Sequence, residues 1–214
     1  MRVTAIILLL IPFLFTNAQK IGELAPKKPP EQFPPNSWGV DLMFGEGGFG
    51  LGTFLRKEFT TTITGFVDLG ITESKDEREV EIIDPYFGTS YTLNKKNRVF
   101  LVPVNFGVQY RLFHESITDN LRPYFSFGVG PTLVFTTPYD REFFSAFAKA
   151  QTKYAAGGYV GLGANFGLSK DNLVGINARY YIAHLFDEGV ENLYGKFRKD
   201  LNHFYLTLNI GLMY

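Results

Sequence analysis

Residues 204–214 read FYLTLNIGLMY and show a strict alternation of side-chain character. Large apolar or aromatic side chains occupy every second position, namely Phe204, Leu206, Leu208, Ile210, Leu212 and Tyr214. The positions between them are mostly polar or small. Because successive side chains of a strand point to opposite faces, this pattern predicts a strand with one apolar and one mostly polar face. Its length suits a tilted strand that crosses a bilayer, which needs about 9–11 residues.

The same alternation recurs along the chain and predicts seven more strands. The eight predicted strands cover residues 38–44, 49–56, 61–72, 99–113, 123–135, 158–168, 173–183 and 204–214. Pro103 falls within the fourth strand, where a missing N–H predicts a bulge. The sequence therefore predicts an all-β fold, an eight-stranded antiparallel up-and-down transmembrane barrel.

The connections between these strands alternate in length. Short turns fall at residues 57–60, 114–120 and 169–172, and long loops fall at residues 73–98, 136–156 and 185–200. Only the first hairpin, residues 45–48, is short on the long-loop side. Transmembrane barrels combine short periplasmic turns with longer extracellular loops. The pattern thus predicts both an even strand number and the orientation of the barrel.

Composition limits the other classes of protein. The 214 residues contain no cysteine, which excludes disulfides and thiolate metal sites. Acidic and basic residues balance at 21 each, so no nucleic-acid partner is indicated. Aromatic residues make up 16% of the chain, as expected for a barrel with aromatic girdles. We expect no cofactor and no metal site.

Three segments are predicted along the chain. Residues 1–18 have the features of a secretory signal peptide, with Arg2 before an apolar run and cleavage after Ala18. Residues 19–36 are rich in proline and form an extended periplasmic lead-in. The barrel takes residues 37–214. An uncleaved membrane anchor at the N-terminus is the alternative for the first segment.

A soluble barrel of the lipocalin or streptavidin type has the same strand pattern, but it buries the apolar face. The less apolar face of the predicted strands carries Asp41, Asp68, Asn105, Gln109, Arg111, Ser126, Asn165, Asn177, Arg179, Thr207 and Asn209. Such a set suits a lumen better than a solvent-exposed surface, where more Lys and Glu are expected. The pattern favours the membrane barrel.

The segment Arg122 to Pro131 reads RPYFSFGVGP and resembles the central strand of small bacterial outer-membrane β-barrels of the OmpA/OmpX-like or porin-like group. The signal peptide and residues 204–214 add to this resemblance, although that group usually ends in Phe rather than Tyr214. The resemblance implies a Gram-negative outer membrane, contact with lipid and lipopolysaccharide, and insertion of a monomer by the barrel-assembly machinery. It fixes no activity, and no catalytic residue is carried over from it.

Six inward polar residues are candidates for a lumen network. They are Asp41, Asp68, Asn105, Arg111, Asn177 and Arg179. An eight-stranded barrel is only wide enough for its own side chains, and buried charges there must be paired. We therefore expect a salt-bridged network that stiffens the barrel. A narrow small-solute channel is the alternative, and it requires Asp41 and Arg179 to separate.

An enzyme that modifies lipid A is another alternative, and it would require a Ser-His-acid cluster at the rim. His184 has Asp187 and Glu188 nearby in sequence, but no serine. His203 is expected on the lumen face. No catalytic residue is assigned, and whether the chain is an enzyme stays open, with no enzyme favoured.

The long loops are the predicted interaction surface. Residues 73–98 are rich in charge without the spacing of a calcium loop. Residues 140–155 predict a short helix that Asp140 caps, with Phe143, Phe144 and Phe147 on one side. The favoured function is a structural or interaction role through these loops.

Overall fold

The computed structural model describes residues 33–117, 119–167 and 171–214. The predicted signal peptide and most of the proline-rich lead-in lie outside the described residues.

The described chain is almost entirely β-structure. Its elements are β1 Asn36–Gly45, β2 Gly48–Glu58, β3 Ile63–Glu73, β4 Glu81–Ile83, β5 Ser90–Thr92, β6 Asn97–Arg111, β7 Leu121–Pro138, α1 Phe143–Phe147, β8 Gln151–Gly167, β9 Asn172–Leu185, β10 Val190–Leu193, β11 Lys196–Arg198 and β12 His203–Met213. Eight of the strands close a barrel in the order β1-β12-β9-β8-β7-β6-β3-β2. All neighbours are antiparallel, so the predicted eight-stranded up-and-down barrel is confirmed.

The first and last strands close the barrel against each other. Trp38 lies opposite Leu212, and Asp41 lies opposite Asn209. Closure leaves no unpaired strand edge, so the backbone hydrogen bonds of the barrel wall are made within the wall.

The outward face of the barrel is apolar and the inward face is mixed. The alternate residues 204, 206, 208, 210, 212 and 214 lie on the outward face, and all but the half-buried Leu208 are exposed. Within the middle of this face Thr53 is a polar exception, and its hydroxyl donates to the carbonyl of Gly39 at 2.8 Å. A polar group on an apolar surface is thereby satisfied by the wall itself.

Strands β7 and β8 are longer than the sequence pattern predicts. The predicted loop at residues 136–156 is shortened at both ends, because β7 extends to Pro138 and β8 begins at Gln151. Between them α1 follows Glu142, whose side chain makes no capping hydrogen bond. The prediction that Asp140 caps this helix is therefore wrong. The rings of Phe143 and Phe147 instead hold α1 against Phe100 on the outer side of the barrel, with centroids 6.2 and 5.8 Å from that ring.

No helix in the described ranges is long and apolar enough to cross a membrane.

The predicted bulge at Pro103 is absent. Pro103 lies opposite Thr132, and Phe106 lies opposite Val129 in the same register. The pairing with β7 is interrupted between these two positions, where Pro131 of β7 has no N–H to donate, but no extra residue is inserted. The pairing of β6 with β3 is interrupted beside Pro103 and continues in the same register.

Two of the long connections contain hairpins of their own. Strands β4 and β5 pair within residues 74–96, and β10 and β11 pair within residues 186–202. These hairpins and α1 lie at one end, called the loop side below. The turn at residues 59–62 lies at the other end, called the turn side, together with the end of β6, the start of β7, the end of β8 and the start of β9.

Candidate functional site

The middle of the lumen holds a cluster of charged side chains from three strands. Arg179 of β9 forms ion pairs with Asp41 of β1 at 3.0 Å and with Asp68 of β3 at 3.4 Å. The hydroxyl of Tyr159 donates to Asp68 at 2.7 Å, and the amide of Asn209 donates to Asp41. All five residues are buried. Because these residues come from opposite parts of the wall, the cluster links the wall across the lumen.

Two further predicted network residues lie in the same lumen without joining this cluster. Asn177 is fully buried, and neither of its amide atoms has a protein partner in the described residues. The carbonyl oxygen of Asn105 is likewise buried without one. Buried polar atoms of this kind require ordered water. The lumen around the charge cluster is therefore polar.

The sixth predicted residue, Arg111, lies elsewhere. It is at the turn side, where its guanidinium donates to the carbonyl of Ile117 at 3.3 Å. Arg56 and Arg122 face inward at the same end. The predicted six-residue network is thus divided between the middle of the lumen and its turn-side mouth.

An apolar plug fills the lumen on the loop side of the charge cluster. It consists of the buried side chains of Val99, Leu101, Val134, Ala183, Leu185, Val190 and Leu201. These residues were not predicted as a lumen core, although residues 99–102 read VFLV and break the polar–apolar alternation. A run that is apolar on both faces indicates burial on both faces. The plug could have been predicted from that run of apolar residues.

The loops above the plug are fastened to one another. The N–H of Lys96 donates to the carbonyl of Asn192 at 2.7 Å, and the amide of Asn97 donates to the carbonyl of Glu191 at 2.8 Å. The buried amide of Asn192 reaches the carbonyl of Ser74 at 3.1 Å. The hairpin β10–β11 is thus bonded to both ends of the connection between β3 and β6, and it covers the plug.

Ion pairs reinforce this cover. Lys95 and Glu79 pair at 2.8 Å with both side chains nearly buried. The hydrogen bond from Arg78 holds the pKa of Asp76 below its usual value. The backbone N–H of Gly189 has the same effect on the pKa of Asp187, as the ammonium of Lys96 does on that of Glu191. No group of three or more His, Asp or Glu side chains placed to hold a metal ion occurs in the described ranges.

The elements of a catalytic triad are present but are divided between two histidines. Ser74 contacts Nε2 of His203 at 2.6 Å, whereas Asp200 contacts Nδ1 of His184 at 2.6 Å. Asp187, expected near His184, pairs with Lys153 at 3.0 Å. Ser74 is only 1% exposed, beneath the loop cover. A nucleophile needs access to substrate and a base that a carboxylate orients, and neither histidine provides both.

The tip of the β4–β5 hairpin presents two aromatic rings to solvent. Tyr86 is 93% exposed and Phe87 is 82% exposed. The carboxylate of Asp84 accepts hydrogen bonds from the backbone N–H groups of both residues, at 2.8 and 3.3 Å. The N–H of Asp84 donates to the carbonyl of Thr89 at 2.8 Å, which closes the tip. The two rings are therefore exposed on an ordered turn.

No protein-family profile matches the chain, and a comparison with curated protein sequences finds no match. Solved structures of low sequence identity share the barrel. Ail, the attachment invasion locus protein of Yersinia pestis, is 13% identical with a TM-score of 0.42, over 83% of this chain and 95% of Ail.

The N-terminal β-barrel domain of Pseudomonas aeruginosa OprF is 12% identical with a TM-score of 0.43, over 85% of this chain and 98% of that domain. Neisserial surface protein A is 9% identical with a TM-score of 0.45, over 84% of this chain and 94% of its own. The resemblance to small outer-membrane barrels is confirmed at the level of the fold, by the closed eight-stranded barrel of this chain.

Proposed function

We propose that this chain is an outer-membrane barrel with a closed lumen, and that it acts as an interaction protein through its loop side. The observation that carries the proposal is the pair of exposed rings, Tyr86 and Phe87, on an ordered hairpin tip. Exposed aromatic side chains bring no benefit to a folded monomer in water, and they are the residues most enriched in binding hot spots.

The outward face supports the membrane location. It is apolar along all eight strands, and aromatic side chains lie toward both ends of it. Phe44, Phe49 and Phe204 lie toward the loop side, and Trp38, Tyr110 and Tyr214 lie toward the turn side. Such girdles mark the two interfaces of a membrane barrel. The short connections then face the periplasm, and the hairpins face outward among lipopolysaccharide.

The remaining expectations on partners follow from this location. The chain inserts as a monomer with the help of the barrel-assembly machinery, which recognises the last strand at residues 204–214. Its bulk partners are outer-membrane lipid and lipopolysaccharide. Its specific partner is a surface that accepts two adjacent aromatic rings.

A small-solute channel is the weaker candidate function. Arg179 bridges two carboxylates across the lumen, and the apolar plug lies between this bridge and the loops. Ions would have to pass both obstacles. In planar bilayers we expect the purified protein to give no conductance steps, and stable steps would favour the channel.

The location is tested by fractionation and electrophoresis. A folded outer-membrane barrel resists detergent without boiling and shifts its mobility on heating. We expect the protein in the outer-membrane fraction with such a shift. Recovery as a soluble periplasmic protein without a shift would contradict the location.

The interaction role is tested by attachment of cells that display the protein to a layer of the same cells and to protein-coated glass. We expect the double variant Tyr86→Ser, Phe87→Ser to lose most of the attachment that the wild type adds. The control is Phe113→Ser, which removes an exposed ring at the turn side. Equal attachment of the wild type and the double variant, both heat-modifiable, would contradict the role of the tip.

A further inference from the structure

The turn-side mouth of the lumen concentrates positive charge. Arg56 of β2, Arg111 of β6 and Arg122 of β7 all belong to the inward face there. Glu58 is the carboxylate that interacts electrostatically with two of them, Arg111 and Arg122. Among the described residues, these three cations and Glu58 sum to a net charge of +2 at this end of the lumen.

These arginines are incompletely paired. Among the described residues none of the three forms an ion pair within 4.0 Å. Nε and Nη2 of Arg56, Nε of Arg111 and Nε of Arg122 are buried without a hydrogen-bond acceptor from the described chain. Arg56 itself is only 5% exposed. By contrast, Arg179 in the middle of the lumen has two carboxylates.

Neutral groups supply the contacts that the arginines do make. The guanidinium of Arg56 lies 3.9 Å from the ring centre of Phe54, and that of Arg122 lies 4.1 Å from the ring centre of Phe33. Nη1 of Arg56 donates to the amide oxygen of Asn165 at 3.3 Å. Such contacts orient the cations without neutralising them. A buried cation without a counter-charge is costly, so the mouth is suited to receive an anion.

The space for that anion is a pocket of about 50 Å³ that is partly open to solvent. Its wall includes Arg111 and Arg122 together with Thr64, Gln109 and Tyr124, and the carboxylate Glu58 lines the same pocket. Guanidinium, hydroxyl and amide groups all donate hydrogen bonds to oxygen, and a guanidinium fork matches carboxylate and phosphate in two-pronged geometry. We propose that the turn-side mouth binds an oxyanion, a phosphate or carboxylate group, between Arg111 and Arg122 with Arg56 behind them.

A free phosphate or a phosphorylated small molecule that enters from the turn side can supply this chemistry.

The test measures the unfolding temperature of the full-length protein, refolded in detergent, against the concentration of inorganic phosphate at constant ionic strength set with chloride. Arg111→Gln combined with Arg122→Gln should weaken the response at least ~10-fold, because two charge-assisted hydrogen-bonding forks are removed. Lys57→Gln is the matched control, since it removes one positive charge from an exposed outward position next to Arg56. Glu58→Gln should strengthen the response ~3-fold or more by removing the opposing charge.

A response to phosphate in the wild type and in Lys57→Gln that the double arginine variant lacks supports the site. Equal responses to phosphate and chloride in the wild type and in Glu58→Gln would overturn the proposal. Glu58→Gln keeps this test decisive even if the double arginine variant does not fold.

Discussion

The two halves of the lumen are filled by different chemistry within one continuous wall. On the loop side, buried aliphatic side chains such as Leu101 and Leu185 pack under a hairpin that hydrogen bonds link to the connection between β3 and β6. On the turn side, Arg111, Arg122, Glu58 and a few neutral polar groups line an open mouth, and the buried Arg56 lies near it. The charge cluster around Arg179 separates the two regions.

This difference separates stability from recognition. Apolar packing and the ion pairs of the loops stabilise the loop side, which carries the exposed rings at its outer end. The turn side keeps hydrogen-bond donors without acceptors, which is the usual condition of a binding site rather than of a core. Substitutions at the two ends should therefore differ in cost even when they remove the same charge.

The largest expected effect comes from Arg179→Gln at the boundary. It leaves Asp41 and Asp68 buried without a counter-charge, so we expect a loss of about 3–5 kcal/mol in the free energy of unfolding. Arg111→Gln at the turn side leaves no carboxylate without a nearby cation, because Arg122 remains near Glu58. The free energy of unfolding should therefore fall by less than about 1 kcal/mol. Urea unfolding in phospholipid vesicles measures both.

A rescue variant sharpens this comparison. Adding Asp41→Asn and Asp68→Asn to Arg179→Gln removes the two unpaired negative charges. This should restore part of the lost free energy of unfolding. No recovery in the triple variant would mean that packing around Arg179, rather than charge, carries its contribution.

The next effect concerns the plug. Leu101→Ala creates a cavity at a fully buried position, and we expect a loss of about 2–5 kcal/mol in the free energy of unfolding. Leu93→Ala, at an exposed loop position, should stay within about 0.5 kcal/mol. If the two variants unfold at the same urea concentration, the loop side does not hold the core that this comparison assigns to it.

A smaller effect is expected at Tyr159. Tyr159→Phe removes the hydrogen bond to Asp68 and leaves the rest of the cluster in place, at a cost of about 1.5–3 kcal/mol. The matched control, Tyr180→Phe, removes a hydroxyl from the outward face. Equal unfolding free energies for the two variants would show that the hydroxyl of Tyr159 adds nothing to the cluster.

The smallest effect is the response of the loop cover to acid. The pKa values of Asp187 and Glu191 are lowered in the folded protein, so their contribution is complete above their ordinary values of 3.8 and 4.5. It is lost as the pH falls below these ordinary values and through the lowered ones. Exposed pairs contribute at most about 1 kcal/mol, so cleavage of the β10–β11 hairpin by an acid-active protease should rise at most about fivefold.

A matched pair of variants checks the cause of this response. Replacing both carboxylates, Asp187→Asn and Glu191→Gln, should give the faster cleavage already at pH 5 and should remove the further rise in acid. A rise that persists in this variant would assign the acid response to other groups.

The barrel was predictable because one face of each membrane strand is apolar over its whole length. The alternation at residues 204–214 identifies both faces of this strand without information on which strands it pairs with. The upper part of β8 was not predictable in this way. Residues 151–153 read QTK, and beyond the apolar band the outward face of a strand no longer has to be apolar. Strands β4 and β11 are three residues long, too short to show a period.

The sites were predictable only in part. The alternation of side chains along a strand tells which face a residue lies on, but it does not tell how far along the lumen the residue lies. Asp41, Asp68 and Arg179 were assigned inward and meet within 3.4 Å. Arg111 has the same parity but lies at the mouth, because the strands are staggered and tilted around the barrel. The pairing of Ser74 with His203 depends on the path of a long loop, which no local pattern encodes.

The pairing of β1 with β12 has a consequence for how the barrel is made. Asp41 and Asn209 lie opposite each other although almost the whole chain separates them, so the final seam joins the earliest and latest strands. Until that seam forms, β1 and β12 each present a row of unpaired backbone groups, which a lipid environment does not tolerate. Assembly should therefore proceed as a single cooperative closure with a slow, long-range step, and not as the stepwise insertion of one hairpin after another.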